Sequence, residues 1–344
     1  MPRPMVPHLL AAIALAGAAV ASLPAVANGA AAGPATTADM RAWLLRIHDA
    51  ASRQNFQGTF VVSGGGNVTS ARIAHFSEGR DQYERIESLD GRQRKVFRHN
   101  DVVNTFWPAS RVAMVEQRGM LNSFPALLQA GDDRLAAWYD VEAGGIDRVA
   151  GHEVELLEVR PRDIYRYGYR LWADRSSGLL LRADVVGEHG QVLETSSFSD
   201  VAIGIRSQSS SVVQAMRRLD GYRVVKPVLT ATRLELEGWS MRQTAPGFRL
   251  VSCVSRQMEA GAGPAADRAA PPVVQAIYSD GLTYVSVFIE PYRDDRQHGS
   301  PGVGSVGATS TLTQQLGDWW ITLVGDTPPA TLKMFVAGLE RRKP

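Results

Sequence analysis

The chain has 344 residues, a formal net charge of +2, a hydrophobic fraction of 44% and one cysteine. That length points to two domains, and the apolar content excludes wholesale disorder. The near-neutral charge gives no electrostatic basis for nucleic-acid binding, and the lone Cys253 excludes an internal disulfide.

The N-terminus reads as an export leader. Arg3 supplies the positive end, Leu9 to Ala21 is an apolar run, and Ala25-Val26-Ala27 is an A-x-A cleavage site. The run is shorter than the ~20 residues that span a bilayer. Residues 1–27 are therefore expected to be a signal peptide, leaving a soluble periplasmic chain. A helix then opens near Asp39, with Met40, Trp43, Leu44, Ile47 and Ala51 on one stripe.

Short strands follow at Phe56–Ser63, Ser70–Phe76, Gln82–Leu89, Gln93–His99, Val102–Trp107 and Arg111–Glu116. Asp90-Gly91 is a hairpin signal and Ser63–Asn67 a glycine loop. This spacing suits antiparallel neighbours rather than βαβ units. Leu121 to Asp140 reads as short helical or irregular pieces rich in large apolar groups. Strands resume as a four-stranded meander over Glu153–Arg160, Tyr165–Trp172, Leu179–Val186 and Gln191–Phe198. In the second of these, Tyr165, Tyr167, Tyr169 and Leu171 alternate with Arg166 and Arg170, so the two arginines are expected on the opposite face, there either to meet a lipid phosphate or an acidic partner segment or to be solvated.

Residues 207–232 read as a linker carrying one amphipathic piece, Val212–Leu219. It divides an N-terminal domain, 37–206, from a C-terminal domain, 233–344. The latter shows strands at Leu234–Trp239, Phe248–Ser255, Val273–Ser279, Thr283–Glu290, Ser310–Leu316 and Trp319–Val324, with a closing helix from Pro328. Two loops, Ala260–Pro272 and Tyr292–Ala308, are expected to be mobile. Cys253, in the run Leu250–Val254, reads as a small buried apolar residue. The fold class is mainly β (α+β).

Several stretches together resemble the MucB/RseB family. Trp43–Val62 (WLLRIHDAASRQNFQGTFVV) is similar to its opening helix and first strand, and Tyr169–Phe198 to its central meander. Ala245–Phe248 (APGF), Tyr278–Leu282 (YSDGL) and Val324–Val336 (VGDTPPATLKMFV) are similar to its C-terminal domain. The resemblance implies an open antiparallel half-barrel with covering helices, like the Lol lipoprotein carriers, linked to a smaller α+β domain. It also implies a periplasmic negative regulator of an envelope-stress sigma factor. Such a protein binds the periplasmic region of a membrane anti-sigma factor and shields it from regulated proteolysis. Lipopolysaccharide or lipoprotein acyl chains then release it. The alternative is a periplasmic lipid or lipoprotein carrier with no regulatory partner.

An acyl site needs inward apolar groups, and the candidates are Phe60, Ile73, Phe76, Phe106, Trp107, Met114, Leu121, Phe124, Leu127 and Trp138. Tyr278, Asp280, Tyr284 and Trp319 are the candidates for partner contact. Arg92, Arg94, Lys95, Arg98 and His99 form a basic cluster, either a contact for lipid phosphates or an acidic partner segment, or a solvated strand face. The histidines have no metal-ligand spacing. Gly64-Gly65-Gly66 lacks the Lys and Ser/Thr of a phosphate loop, and no nucleophile elbow is present. The sequence thus nominates no catalytic residue, no metal and no cofactor, and it leaves homo-oligomerisation open.

Overall fold

The computed structural model describes residues 37–117, 135–257, 272–292 and 300–342. Helix α1 (Thr37–Arg53) leads into β1 (Phe56–Gly64), β2 (Asn67–Glu78), β3 (Asp81–Ser88), β4 (Lys95–His99), β5 (Val102–Trp107) and β6 (Val112–Gln117). Short α2 (Leu135–Trp138) runs into β7 (Tyr139–Val149), β8 (His152–Pro161), β9 (Gly168–Asp174), β10 (Leu180–Val186) and β11 (Val192–Ile203). After α3 (Ser209–Arg217) come β12 (Arg223–Val225) and β13 (Val228–Ala231). The rest is β14 (Trp239–Met241), β15 (Arg249–Gln257), β16 (Val273–Ser279), β17 (Tyr284–Pro291), β18 (Gly302–Val306), β19 (Thr309–Leu316), β20 (Trp319–Gly325), α4 (Pro329–Gly338) and β21 (Leu339–Arg341).

The first sheet has the order β12-β6-β5-β4-β3-β2-β1-β11-β10-β9-β8-β7. It is open: β12 and β7 are its edges, and it does not close into a barrel. All its pairings are antiparallel except β12 with β6. The second sheet runs β13-β15-β16-β17-β20-β19-β18, and β14 pairs with β21.

Helices seal the first sheet by burying one apolar stripe each. Leu44, Ile47 and Ala50 of α1 pack onto clusters that hold Phe56, Phe60, Tyr169 and Leu171. Val212 of α3 is fully buried over Phe76, Phe97 and Phe106. On the second sheet, Leu332 and Phe335 of α4 close a core with Val285, Val287 and Ile321.

Five expectations change. Gly302–Val306 lies inside the stretch read as a mobile loop, yet it forms β18 against β19. Leu234 to Gly238 is a turn, and pairing starts only at Trp239. The second strand of the meander starts at Gly168, so Arg166 lies outside it. Tyr139–Val149, whose alternation stops after Ala143 at Gly144-Gly145, is the long edge strand β7. Within 207–232, β12 joins the first sheet and β13 the second.

Candidate functional site

The hairpin between β16 and β17 turns through Asp280–Thr283, and its sequence fixes the turn. The Asp280 carboxylate accepts hydrogen bonds from the backbone N–H of Leu282 (3.0 Å) and Thr283 (2.9 Å). Ser279 Oγ accepts from the Gly281 N–H at 3.0 Å and donates to the Thr283 carbonyl at 2.7 Å. These are the side-chain-to-backbone bonds that make Ser and Asp turn formers.

The hairpin tip is inserted in the first sheet. Leu282 belongs to the same buried cluster as Tyr139, Tyr169 and Leu171. The second oxygen of Asp280 accepts from the Tyr139 hydroxyl (2.9 Å) and from Arg166 (3.1 Å). Both side chains of the Arg166–Asp280 pair are fully buried. Arg166 also meets Asp163 at 3.0 Å, donates to the Pro246 carbonyl, and lies over the Trp138 ring at 4.9 Å. A guanidinium suits such a site because it offers several donors and a flat cationic face at once. Burial, and then the Asp280 charge, pushes the Tyr139 phenol well above its ordinary pKa, so it stays a donor. Gly247, at φ +83°, lies against Trp138; a Cβ there would come within 2.7 Å of the ring. Two of the quoted motifs, APGF and YSDGL, thus converge on Arg166.

Further contacts join the sheets. Arg256 of β15 pairs with Glu116 of β6 at 3.2 Å. Thr331 of α4 donates to the Tyr165 carbonyl at 2.6 Å. In the glycine loop, Gly65 at φ +58° presses on the β18–β19 turn, where a Cβ would lie 2.6 Å from Gly307 N. A cavity of about 190 Å³ lies between the sheets, lined by Phe60, Leu180, Leu181 and Ala183 on one side and Leu282, Tyr284 and Asp326 on the other.

The expected acyl-lining residues do not share one cavity. Phe60 lines the inter-sheet cavity, and Ile73 lies in the same core cluster. Phe76 and Phe106 lie under α3. Trp107 and Met114 are half-buried on β5 and β6. Trp138 lies under Arg166. Leu121, Phe124 and Leu127 fall outside the described residues.

Of the partner candidates, Tyr278 and Asp280 are buried at 4% and 2% exposure and engage internal partners, so neither presents a surface as the chain stands. Tyr284 and Trp319 are half-buried; Trp319 meets Trp239 edge-on and lies 4.7 Å under Arg341.

The basic residues differ in their surroundings. Arg166 is not on a solvated face, and Arg98 is buried against Glu84 at 3.6 Å. Lys95 faces Glu87 and His99 faces Asp81. Cys253 is buried and unbridged, as expected. No group of three or more His, Cys, Asp or Glu able to hold a metal occurs among the described residues.

The sequence concealed the role of Arg166, because alternation over Tyr165–Leu171 mimics a strand. The separating signal is Tyr167-Gly168: glycine opens β9, and Arg166 and Tyr167 before it are buried.

Comparison with known proteins accounts for both sheets. The MucB/RseB N-terminal domain matches residues 39–216, and the MucB/RseB C-terminal domain matches residues 233–340. The chain belongs to the MucB/RseB family. It is 30% identical to the sigma factor AlgU regulatory protein MucB of Pseudomonas aeruginosa, over 87% of this chain and 90% of that one. It is 25% identical to the sigma-E factor regulatory protein RseB of Haemophilus influenzae, over 86% and 90%. MucB solved in complex with MucA(peri) superposes with a TM-score of 0.63 at 27% identity, covering 88% of this chain and 99% of that one. MucB solved by itself gives 0.64 at 27% identity, covering 90% and 100%. The fold and domain order of this MucB/RseB member therefore extend over nearly the whole of MucB.

Proposed function

We propose that this chain is a periplasmic, non-catalytic negative regulator of an envelope-stress sigma factor. It binds the periplasmic region of a membrane anti-sigma factor and shields it from regulated proteolysis until a lipid or lipoprotein signal releases it. The supporting observation is the extent of likeness: both family domains in order, and 27% identity to MucB solved with MucA(peri) over 99% of that chain. No helix among the described residues is long and apolar enough to cross a membrane, which suits an exported chain whose leader, 1–27, is removed.

In this reading 37–206 is the sensing domain, 207–232 the connection and 233–344 the docking domain. Tyr284 and Trp319 remain the candidates for partner contact. Acyl chains enter among Phe60, Ile73, Phe76, Phe106, Trp107, Met114 and Trp138 by displacing helix or hairpin packing. A ligand can trigger release only by binding the released conformation more tightly than the docked one. The inter-sheet junction is the element whose equilibrium it would bias.

The test is a pull-down of residues 28–344 against periplasmic segments of single-pass membrane proteins encoded beside an extracytoplasmic sigma factor, with and without lipopolysaccharide. Capture that lipopolysaccharide weakens is the expected result. Failure to capture any segment, with acyl lipid still bound, would overturn the regulator in favour of a carrier.

A further inference from the structure

We propose that one rim of the first sheet is a docking surface for a bilayer of anionic phospholipid. The pairing register assembles that rim. Glu87, Lys95, Phe106, Ala113 and Val224 lie side by side across β3, β4, β5, β6 and β12. Beyond that row the chain turns. Arg92 and Arg94 stand in the β3–β4 connection, Arg111 in the β5–β6 connection, and Arg223 opens β12. The Arg223 N–H donates to the Arg111 carbonyl at 2.8 Å, so these two are neighbours. Helix α3 adds Arg217 and Arg218. Its first residue, Ser209, bonds Glu78 at the far end of β2, while Asn104 of β5 holds the Met216 carbonyl at 2.9 Å. The last turn of α3 therefore points to the same rim.

The rim is cationic although the chain as a whole carries only +2. All six arginines are exposed, and none forms an ion pair among the described residues. The carboxylates between β3 and β12 at this end do not answer them. Glu87 is shared by Arg85 and Lys95. Asp90 accepts from the Ser70 N–H and hydroxyl. Asp220 is exposed in the turn after α3. The opposite ends of the same strands carry Glu78, Asp81 and Asp101 beside Arg80, so charge is segregated along the sheet. Exposed cations gathered on one edge repel one another, and an anionic surface that meets them relieves the repulsion.

A broad anionic plane fits this rim better than a single acidic segment does. Five strands at a spacing of about 4.8 Å spread it over about 20 Å. The arginines come from loop tips, a strand start and a helix end; they do not line a groove. Leu89, 48% exposed, stands in the same connection as Arg92 and Arg94. Trp107, half-buried, ends β5 just before the turn that carries Arg111. Guanidinium groups pair with phosphate through two parallel hydrogen bonds, and an indole and an apolar side chain beside them match the boundary of a bilayer. The inference goes beyond binding of an anti-sigma factor and does not depend on it.

The experiment is co-sedimentation of the mature chain with vesicles of phosphatidylcholine alone, or of equal parts phosphatidylcholine and phosphatidylglycerol, at low and at physiological salt. Binding to the mixed vesicles that salt weakens, with none to phosphatidylcholine alone, is expected. Each arginine near an anionic lipid surface is worth about fivefold in partitioning. Arg92→Gln/Arg94→Gln and Arg217→Gln/Arg218→Gln should therefore each weaken binding by about thirtyfold. Arg249→Gln/Lys333→Gln removes the same charge from exposed positions on β15 and α4 and should bind like wild type. Circular dichroism checks folding, and if one rim variant fails to fold the other decides. No binding to the mixed vesicles, equal binding to both kinds, or an equal loss in Arg249→Gln/Lys333→Gln would overturn the surface. Oligoglutamate captured through the same arginines while the vesicles are not would assign the rim to an acidic protein segment and overturn the bilayer.

Discussion

Arg166 and Asp280 are each fully buried at the side chain and neutralise one another. Removing one member leaves the other charge buried and unpaired, which costs about 3–5 kcal/mol. Arg166→Met is therefore expected to lower unfolding stability by that amount in urea titrations. The double variant Arg166→Met/Asp280→Asn should cost clearly less than the sum of the singles, and additivity would refute the coupling. His75 gives a second residue-scale outcome. Burial lowers its pKa, with the Gln54 carbonyl and Glu84 opposing. A depressed pKa means the unfolded chain takes the proton first. The contribution of His75 is thus complete above about pH 6.5 and is lost as pH falls through the lower folded value. Melting temperatures should drop across that window in wild type, and His75→Gln should flatten the drop. The sequence offered Asp280 as a candidate for partner contact, and nothing in it paired position 280 with 166, because a contact across 114 residues leaves no local signature.

At the scale of elements, alternation and turn residues made most strands of the first sheet legible. The strands that were missed outright were edges. β7 contains Gly144-Gly145 and a register shift, and β18 is the exposed run Gly302–Val306. An edge strand pairs on one side only, so its sequence carries less of the apolar pattern that marks interior strands. The β1–β2 glycine loop was visible as a turn but not as a contact. Gly65 and Gly66 both have positive φ, yet only at Gly65 does a Cβ meet the β18–β19 turn. Gly65→Ala should therefore destabilise by about 1 kcal/mol more than Gly66→Ala, the shared backbone strain cancelling between them. Equal losses in chemical denaturation would show that the loop does not bear on the second sheet.

For the whole molecule, composition and length suggested two domains, and two large sheets are present. Their separateness is limited by Leu282, which belongs to the second sheet's hairpin but packs in the first sheet's core. Calorimetry of the mature chain is expected to show one cooperative transition, because unfolding either sheet uncovers this shared core. Two resolved transitions in the wild type would contradict it. Arg166→Met, by weakening the plug around Leu282, should split or broaden the peak. The two-domain layout was legible because each half carries its own strand pattern; the shared core was not, since Leu282 looks like any turn-flanking leucine.

The path from one sheet to the other has a mechanical consequence. β12 ends at Val225 and β13 begins at Val228, with Lys226-Pro227 between. Three Cα steps reach about 11 Å when taut. The sheets therefore cannot be drawn further apart along this tether while both strands stay zipped. Under load the first to peel is β12, three residues long and held in parallel register on an outer strand, before the four antiparallel residues of β13. Each residue freed from β12 lengthens the tether by one step, so the extent of opening is metered by how much of that short zipper has run.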